Sequence, residues 1–176
     1  MIGLAILIAA LFMIPLTLRL TAKATGRKGE TTRRLRWHGI QWDASADHDA
    51  LVAQALAKQK SGDVLGALAD YDLALLQKRT ALVLNNRGCA LLQSGEIERA
   101  ITDLRAAVAL EPDSATAHCS LAEAYARAGH DAAALESLKT AAALDPRWRA
   151  HARTAEEFAR LRATPEGAKW LGDDEA

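Results

Sequence analysis

"ALVLNNRGCALLQSGEIERAITDLRAAVALEPDS", residues 81–114, holds the pattern that decides the fold. Its second half places Ile97, Ala100, Ile101, Leu104, Ala107 and Val108 at i, i+3, i+4 spacing, one apolar stripe along a helix. Gly95 precedes the stripe and turns the chain between two helices. Pro112 follows it and stops the second helix. A helical hairpin is expected here.

The same marks recur on both sides. Gly62, Gly95 and Gly129 are separated by 33 and 34 residues. Ala67, Ala100 and Ala134 keep those intervals, as do Tyr71, Leu104 and Leu138, while Pro112 and Pro146 lie 34 apart. A fixed period of this size marks a stack of helical hairpins. Alanine at the shared positions adds no bulk, so paired helices can approach closely. Composition agrees: half of the 176 residues are apolar, many of them alanine, and aromatics are only 5%, which suits helices better than sheets.

On these residues the chain resembles the tetratricopeptide repeat (TPR) family. The second unit supplies Leu84, Gly88, Leu91, Ala100, Leu104, Ala107 and Pro112 at the family's signature places, and the third supplies Leu121, Ala122, Tyr125, Ala134, Leu138, Ala141 and Pro146. The first, from about His48, is degenerate: Leu51, Ala55, Ala67, Tyr71 and Ala74 fit, but it is one residue short and lacks the closing proline. Arg87 stands where the family usually has leucine. The expected fold is all-α, a solenoid of about three TPR-type hairpins preceded by a single transmembrane helix. A stack of three exposes its last face, which needs a cap. "RWRAHARTAEEFARLRA", residues 147–163, is expected to supply it as a capping helix, with Trp148, Ala152, Ala155, Phe158 and Leu161 inward and Arg149, Arg153, Glu156, Glu157 and Arg160 toward water. Thr164-Pro165 then reads as an N-cap and first helical residue, opening a short terminal turn in which Trp170 and Leu171 pack back before an acidic tail.

The start of the chain is of another kind. Residues 1–18 carry no charge and, as a helix, would be about 27 Å long, near the thickness of a bilayer's hydrocarbon core. Residues 1–42 then hold seven Lys/Arg against Glu30 alone, so the remainder carries a net −6. Basic residues resist translocation, so a membrane anchor over residues 1–20 would leave the body cytoplasmic. Arg19, Lys23, Arg33, Arg34, Arg36 and Trp37 are its candidate interface residues. The rival reading is a cleaved signal peptide with "AKA" at residues 22–24 as its cleavage site, although no positive charge precedes the apolar run. The organisation expected is an anchor (1–20), a basic juxtamembrane linker (21–46), a TPR array with its cap (47–163), and the terminal turn and tail (164–176).

"RWHGIQWDASADHD", residues 36–49, sits at the joint. His38, Asp43, Asp47, His48 and Asp49 offer metal-ligand types without ligand spacing, and Gly39 argues against one helix aligning them. The segment reads instead as a joint, with Trp42 covering the start of the first repeat and Ser45 or Asp47 capping its first helix.

Repeat stacks curve, and their inner face takes an extended peptide or partner helix. The resemblance places that groove on the second, fifth, sixth and ninth positions of each first helix. Carried over, these include Val52, Leu56, Asn85, Asn86, Cys89, Cys119, Ser120 and Glu123. Some family members hold a peptide's C-terminal carboxylate with a clamp of lysine, asparagine and arginine. Here only Asn86 fits; Val52, Leu56, Thr116 and Ser120 replace the others, and no cation is left for a carboxylate. Cys89 and Cys119, too few for a disulfide framework, read as reduced small residues. His118 and His130 stand isolated, and no phosphate loop or nucleophile–base arrangement is visible, so no cofactor, metal or catalysis is expected. The mildly acidic body argues against nucleic acid. The expectation is a non-enzymatic, single-pass, membrane-tethered adaptor whose groove binds a protein partner. The alternatives are an exported protein of envelope assembly and an accessory subunit of a larger membrane complex.

Overall fold

Glycine ends the first helix of every repeat. Gly62, Gly95 and Gly129 have φ of 89°, 82° and 82°, a left-handed conformation that a side chain would oppose. At each, the next residue's N–H reaches back to the helix: Asp63 to Lys58 O, Glu96 to Leu91 O and His130 to Tyr125 O, all at 2.9 Å. Carbonyls left unpaired at a helix end are thereby satisfied while the chain reverses.

The computed structural model describes residues 34–37, 40–43 and 47–172. The chain divides into two units, Met1–Ala46 and Asp47–Ala176. In the first, β1 (Arg34–Trp37) and β2 (Ile40–Asp43) pair antiparallel, with Arg34 opposite Asp43, Leu35 opposite Trp42, Arg36 opposite Gln41 and Trp37 opposite Ile40. Ten residues expected to form part of a linker thus include a hairpin. The expected anchor at residues 1–20, with Arg19, Lys23 and Arg33, lies outside the described residues, as does the acidic tail. No described helix is long and apolar enough to cross a membrane.

Among the described residues of the second unit, every regular element is helical. Three hairpins follow one another: α1 (His48–Ser61) with α2 (Val64–Gln77), α3 (Ala81–Ser94) with α4 (Ile97–Leu110), and α5 (Ala115–Ala128) with α6 (Asp131–Leu144). Each helix has 14 residues, about 21 Å. Asp63, Thr80 and Ser114 cap α2, α3 and α5 by accepting from the N–H of Gly66, Val83 and Ala117. Asp47 occupies the cap position of α1, but its side chain caps nothing.

The residues that set the period are the ones fully buried. Ala67, Ala100 and Ala134, Ala74, Ala107 and Ala141, and Tyr71, Leu104 and Leu138 are all 0% exposed. Small residues on one helix admit the bulky one of its neighbour. Gly88 shows how tight this is, since a Cβ there would lie 2.6 Å from Leu104 Cγ. Arg87, the departure from the family pattern, ties three helices together. Its guanidinium grips Asp103 of α4 at 2.7 and 2.8 Å and reaches Asp72 of α2 at 2.5 Å. Asp70, one period before Asp103, is held by Lys58 at 2.7 Å.

The cap departs from expectation. It is not one helix but α7 (Arg147–Thr154), a 3-10 turn at Glu156–Phe158, α8 (Ala159–Arg162) and α9 (Pro165–Gly172). The break is at Ala155, whose ψ of 132° leaves the helical region. A straight helix would run past the end of the stack, whereas the broken one lays its 3-10 turn on α5 and α8 on α6. The expected inward residues are buried: Ala152 and Phe158 at 0% and Leu161 at 1%, with Trp148 and Ala155 against them. The expected outward ones are not all in water. Arg149 donates to Trp170 O at 2.6 Å and Arg153 to Leu171 O at 3.0 Å, because short helices leave carbonyls that need donors. Thr164 accepts from Gly167 N–H at 3.0 Å, capping α9, and Leu171 folds back to 7% exposure.

Candidate functional site

Successive first helices, α1, α3 and α5, pack on one another, whereas the second helices pack mainly on first helices. Helices closer together on one side than on the other bend a stack toward the closer side. The inner surface is therefore built by α1, α3 and α5.

The sequence-predicted groove residues fall into two layers. Val52, Cys119 and Ser120 are buried at 8%, 6% and 9%, forming the floor. Leu56, Asn85, Asn86, Cys89 and Glu123 are half-buried and open toward solvent. Leu82, at the second position of α3, is 59% exposed. It is a large apolar contact whose position marked it but which the carried-over residues omitted.

Polar chemistry gathers on α3 and α5. Cys89 Sγ lies 3.6 Å from Ser120 Oγ, across the two helices. Both cysteines are free thiols. Burial pushes the Cys89 thiol up and the Cys119 thiol to about 12, so both stay protonated and weakly nucleophilic at neutral pH. Glu123 pairs with Arg127 at 2.7 Å, and Arg127 donates to Leu92 O at 3.2 Å. This cation beside the groove is already engaged. Burial raises the Glu123 carboxyl above its usual range, with the charge of Glu157 adding and Arg127 opposing.

Glu157 comes from the cap, and its charge also reaches Cys119. Read from sequence as a solvated charge, it is instead half-buried, 3.3 Å from His151. His151 in turn meets the rings of Trp148 and Phe158 edge-on at 5.6 and 6.2 Å. The broken cap thus supplies part of the groove's end, which helical periodicity over residues 147–163 had no means of showing.

Two other histidines meet backbone carbonyls. His48 Nδ1 lies 3.2 Å from Ala74 O, and His118 Nε2 lies 2.9 Å from Pro112 O. Among the described residues, no three His, Cys, Asp or Glu side chains converge as a metal site. His38 is outside the described residues.

Asn85 carries the sharpest local signal. Its Oδ1 is shielded from solvent and receives no hydrogen bond from the described residues, although a buried acceptor left unmade is costly. Asn86 stands beside it on the same helix.

Residues 88–129 match the family described as TPR repeat, and residues 115–147 match that described as tetratricopeptide repeat. No curated protein matches the chain. Among solved structures, "MamA 41-end from Desulfovibrio magneticus RS-1" is similar with a TM-score of 0.62 at 22% identity, over 74% of this chain and 72% of that one. The Sgt2 TPR domain from Aspergillus fumigatus gives 0.61 at 21% identity, over 73% and 85%. The first TPR of Spaghetti (RPAP3), bound to the HSP90 peptide SRMEEVD, gives 0.59 at 18%, over 71% and 93%. At these identities the likeness is one of fold. Together with the two sequence matches, which span residues 88–147, it shows tetratricopeptide-type repeats set in an all-α solenoid of that fold.

Proposed function

We propose that the chain is a non-enzymatic adaptor that holds a partly apolar segment of a partner protein, a peptide or a helix, against α3 and α5. The observation that carries this reading is the unbonded Asn85 Oδ1, which a turn of its amide toward the groove would bring to a backbone N–H laid along it. Leu82, more than half exposed on the same helix, supplies apolar contact. One structural neighbour is bound to a peptide, which supports the mode of binding. The carboxylate-clamp version does not transfer, because Val52 and Leu56 are apolar and Arg127 is committed to Glu123 and Leu92 O.

The apolar residues 1–20 would tether this module to the cell membrane as a single pass through the lipid bilayer, and the basic residues after them would keep the repeats cytoplasmic. The partner is then a protein at that membrane, including subunits of a membrane complex.

The test is recovery of partners by the tagged full-length chain in mild detergent, beside the paired substitution Asn85→Ala and Asn86→Ala and a form lacking residues 1–20. The paired substitution should reduce partner recovery by roughly tenfold or more, for loss of about two hydrogen bonds at ~1 kcal/mol each, while leaving helicity intact. Undiminished recovery would overturn the groove assignment.

A further inference from the structure

The hairpin of the first unit separates its residues by chemistry. Residues directly opposite in an antiparallel pair share a face, as do residues two apart along a strand. Leu35 pairs with Trp42 and Trp37 with Ile40, so all four fall on one face. Arg34, Arg36, Gln41 and Asp43 fall on the other. Read from sequence, Trp37 belongs to a membrane interface and Trp42 to the first repeat, but the register gives both the same face. A two-stranded hairpin with strands of four residues is marginally stable alone in water, so that apolar face needs cover.

We propose that this face lies on an anionic bilayer surface, with Trp37 and Trp42 at the level of the lipid headgroups. The proposal rests on the reading of residues 1–20 as an anchor. The chain ahead of the hairpin argues for lipid as the occupant. It ends at Arg33, so residues 21–33, at most about 45 Å of chain, separate the apolar run from β1. From Arg19 to Arg33 it holds Arg19, Lys23, Arg27, Lys28 and Arg33 against Glu30 alone. Anionic headgroups attract a run of cations held within a Debye length of the surface. The face itself suits that boundary. Tryptophan collects at the membrane–water interface because its ring is apolar and its indole N–H polar, and Leu35 and Ile40 add apolar contact. Arg34 and Arg36, expected at the interface beside Trp37, belong to the far face, so the attraction comes from the cations ahead of the strands.

The experiment places the full-length chain in vesicles of phosphatidylcholine and phosphatidylglycerol brominated near the headgroup, and compares tryptophan emission with that in unbrominated vesicles. The chain has four tryptophans, and Trp148 and Trp170 pack in the cap, so bromine should quench roughly half of the emission. Trp37→Phe with Trp42→Phe should abolish the quenching, and circular dichroism verifies that the repeats stay helical. Gln41→Trp added to that pair puts a ring on the far face and should restore little of it. Retention of the chain on the vesicles at alkaline pH reads the anchor separately. Quenching without retention keeps the hairpin proposal and sinks the anchor. Retention without quenching overturns the hairpin proposal alone, including the cases in which the repeats or a second copy cover the face. The absence of both overturns both. Quenching that survives the two phenylalanines, or that is as strong per ring from Gln41→Trp, also overturns the proposal.

Discussion

The three hairpins and the cap all bury apolar side chains, yet they end their helices differently. In the hairpins, glycines at a fixed interval close α1, α3 and α5 with the chain's own N–H groups. In the cap, arginine replaces glycine. Arg162 donates to Ala155 O at 2.5 Å and Ala152 O at 3.2 Å, and Arg160 reaches back to Gly129 O at 2.8 Å and to Asp131. A repeat meets identical neighbours and can use a repeating backbone device. A terminus meets the stack on one side only, so its short helices need long side chains to reach scattered carbonyls.

Phe158→Ala should have the largest effect on this contrast. Phe158 is 0% exposed where the cap meets α5, and truncation should cost about 3–5 kcal/mol in urea unfolding. A loss near zero would mean that arginine bonds alone hold the cap. Gly88→Ala tests the hairpin side. Its Cβ would meet Leu104, and overpacking should cost about 1–3 kcal/mol. The equivalent Ala55 and Ala122 are accommodated at 0% exposure, so a neutral result would show that Leu104 yields easily. Arg162→Met should cost about 1 kcal/mol, since Ala152 O loses its guanidinium donor and Ala155 O keeps only the N–H of Phe158, and should loosen amide protection in α7 more than in α3.

The legibility of the sequence follows the same division. Period-setting residues such as Ala100, Leu104 and Gly95 each have counterparts one repeat away, so repetition singled them out. The break at Ala155 had no such support, since no glycine or proline marks it and the apolar stripe runs through it. With the break went the place of Glu157, which a straight helix would have turned outward. The hairpin at 34–43 was obscured differently. Leu35, Trp37, Ile40 and Trp42 alternate on either side of His38-Gly39, but the arginines between them read as a basic collar. On the inner helices, helix position singled out Asn85, Asn86 and Cys89 as candidates, but not which of the candidates are buried, because burial depends on the neighbouring helix.

The smallest expected effect is one of pH. Burial raises the Glu123 carboxyl above 4.5, so the folded chain holds this proton where the unfolded chain has lost it. Stability should therefore fall as pH rises from 4.5 through the folded value. Glu123→Gln should lack that decline in urea denaturation across a pH series, and an identical pH dependence would show that Arg127 fully compensates the burial.

The central claim is that the partner lies on the inner helices. A photo-cross-linking amino acid placed at Asn86, on α3's inner face, or at Thr102, exposed on α4, reads this directly in intact cells. The account predicts a discrete cross-linked partner from position 86, diminished by Asn85→Ala, and none from position 102. Cross-linking from 102 alone, or equally from both, would contradict it.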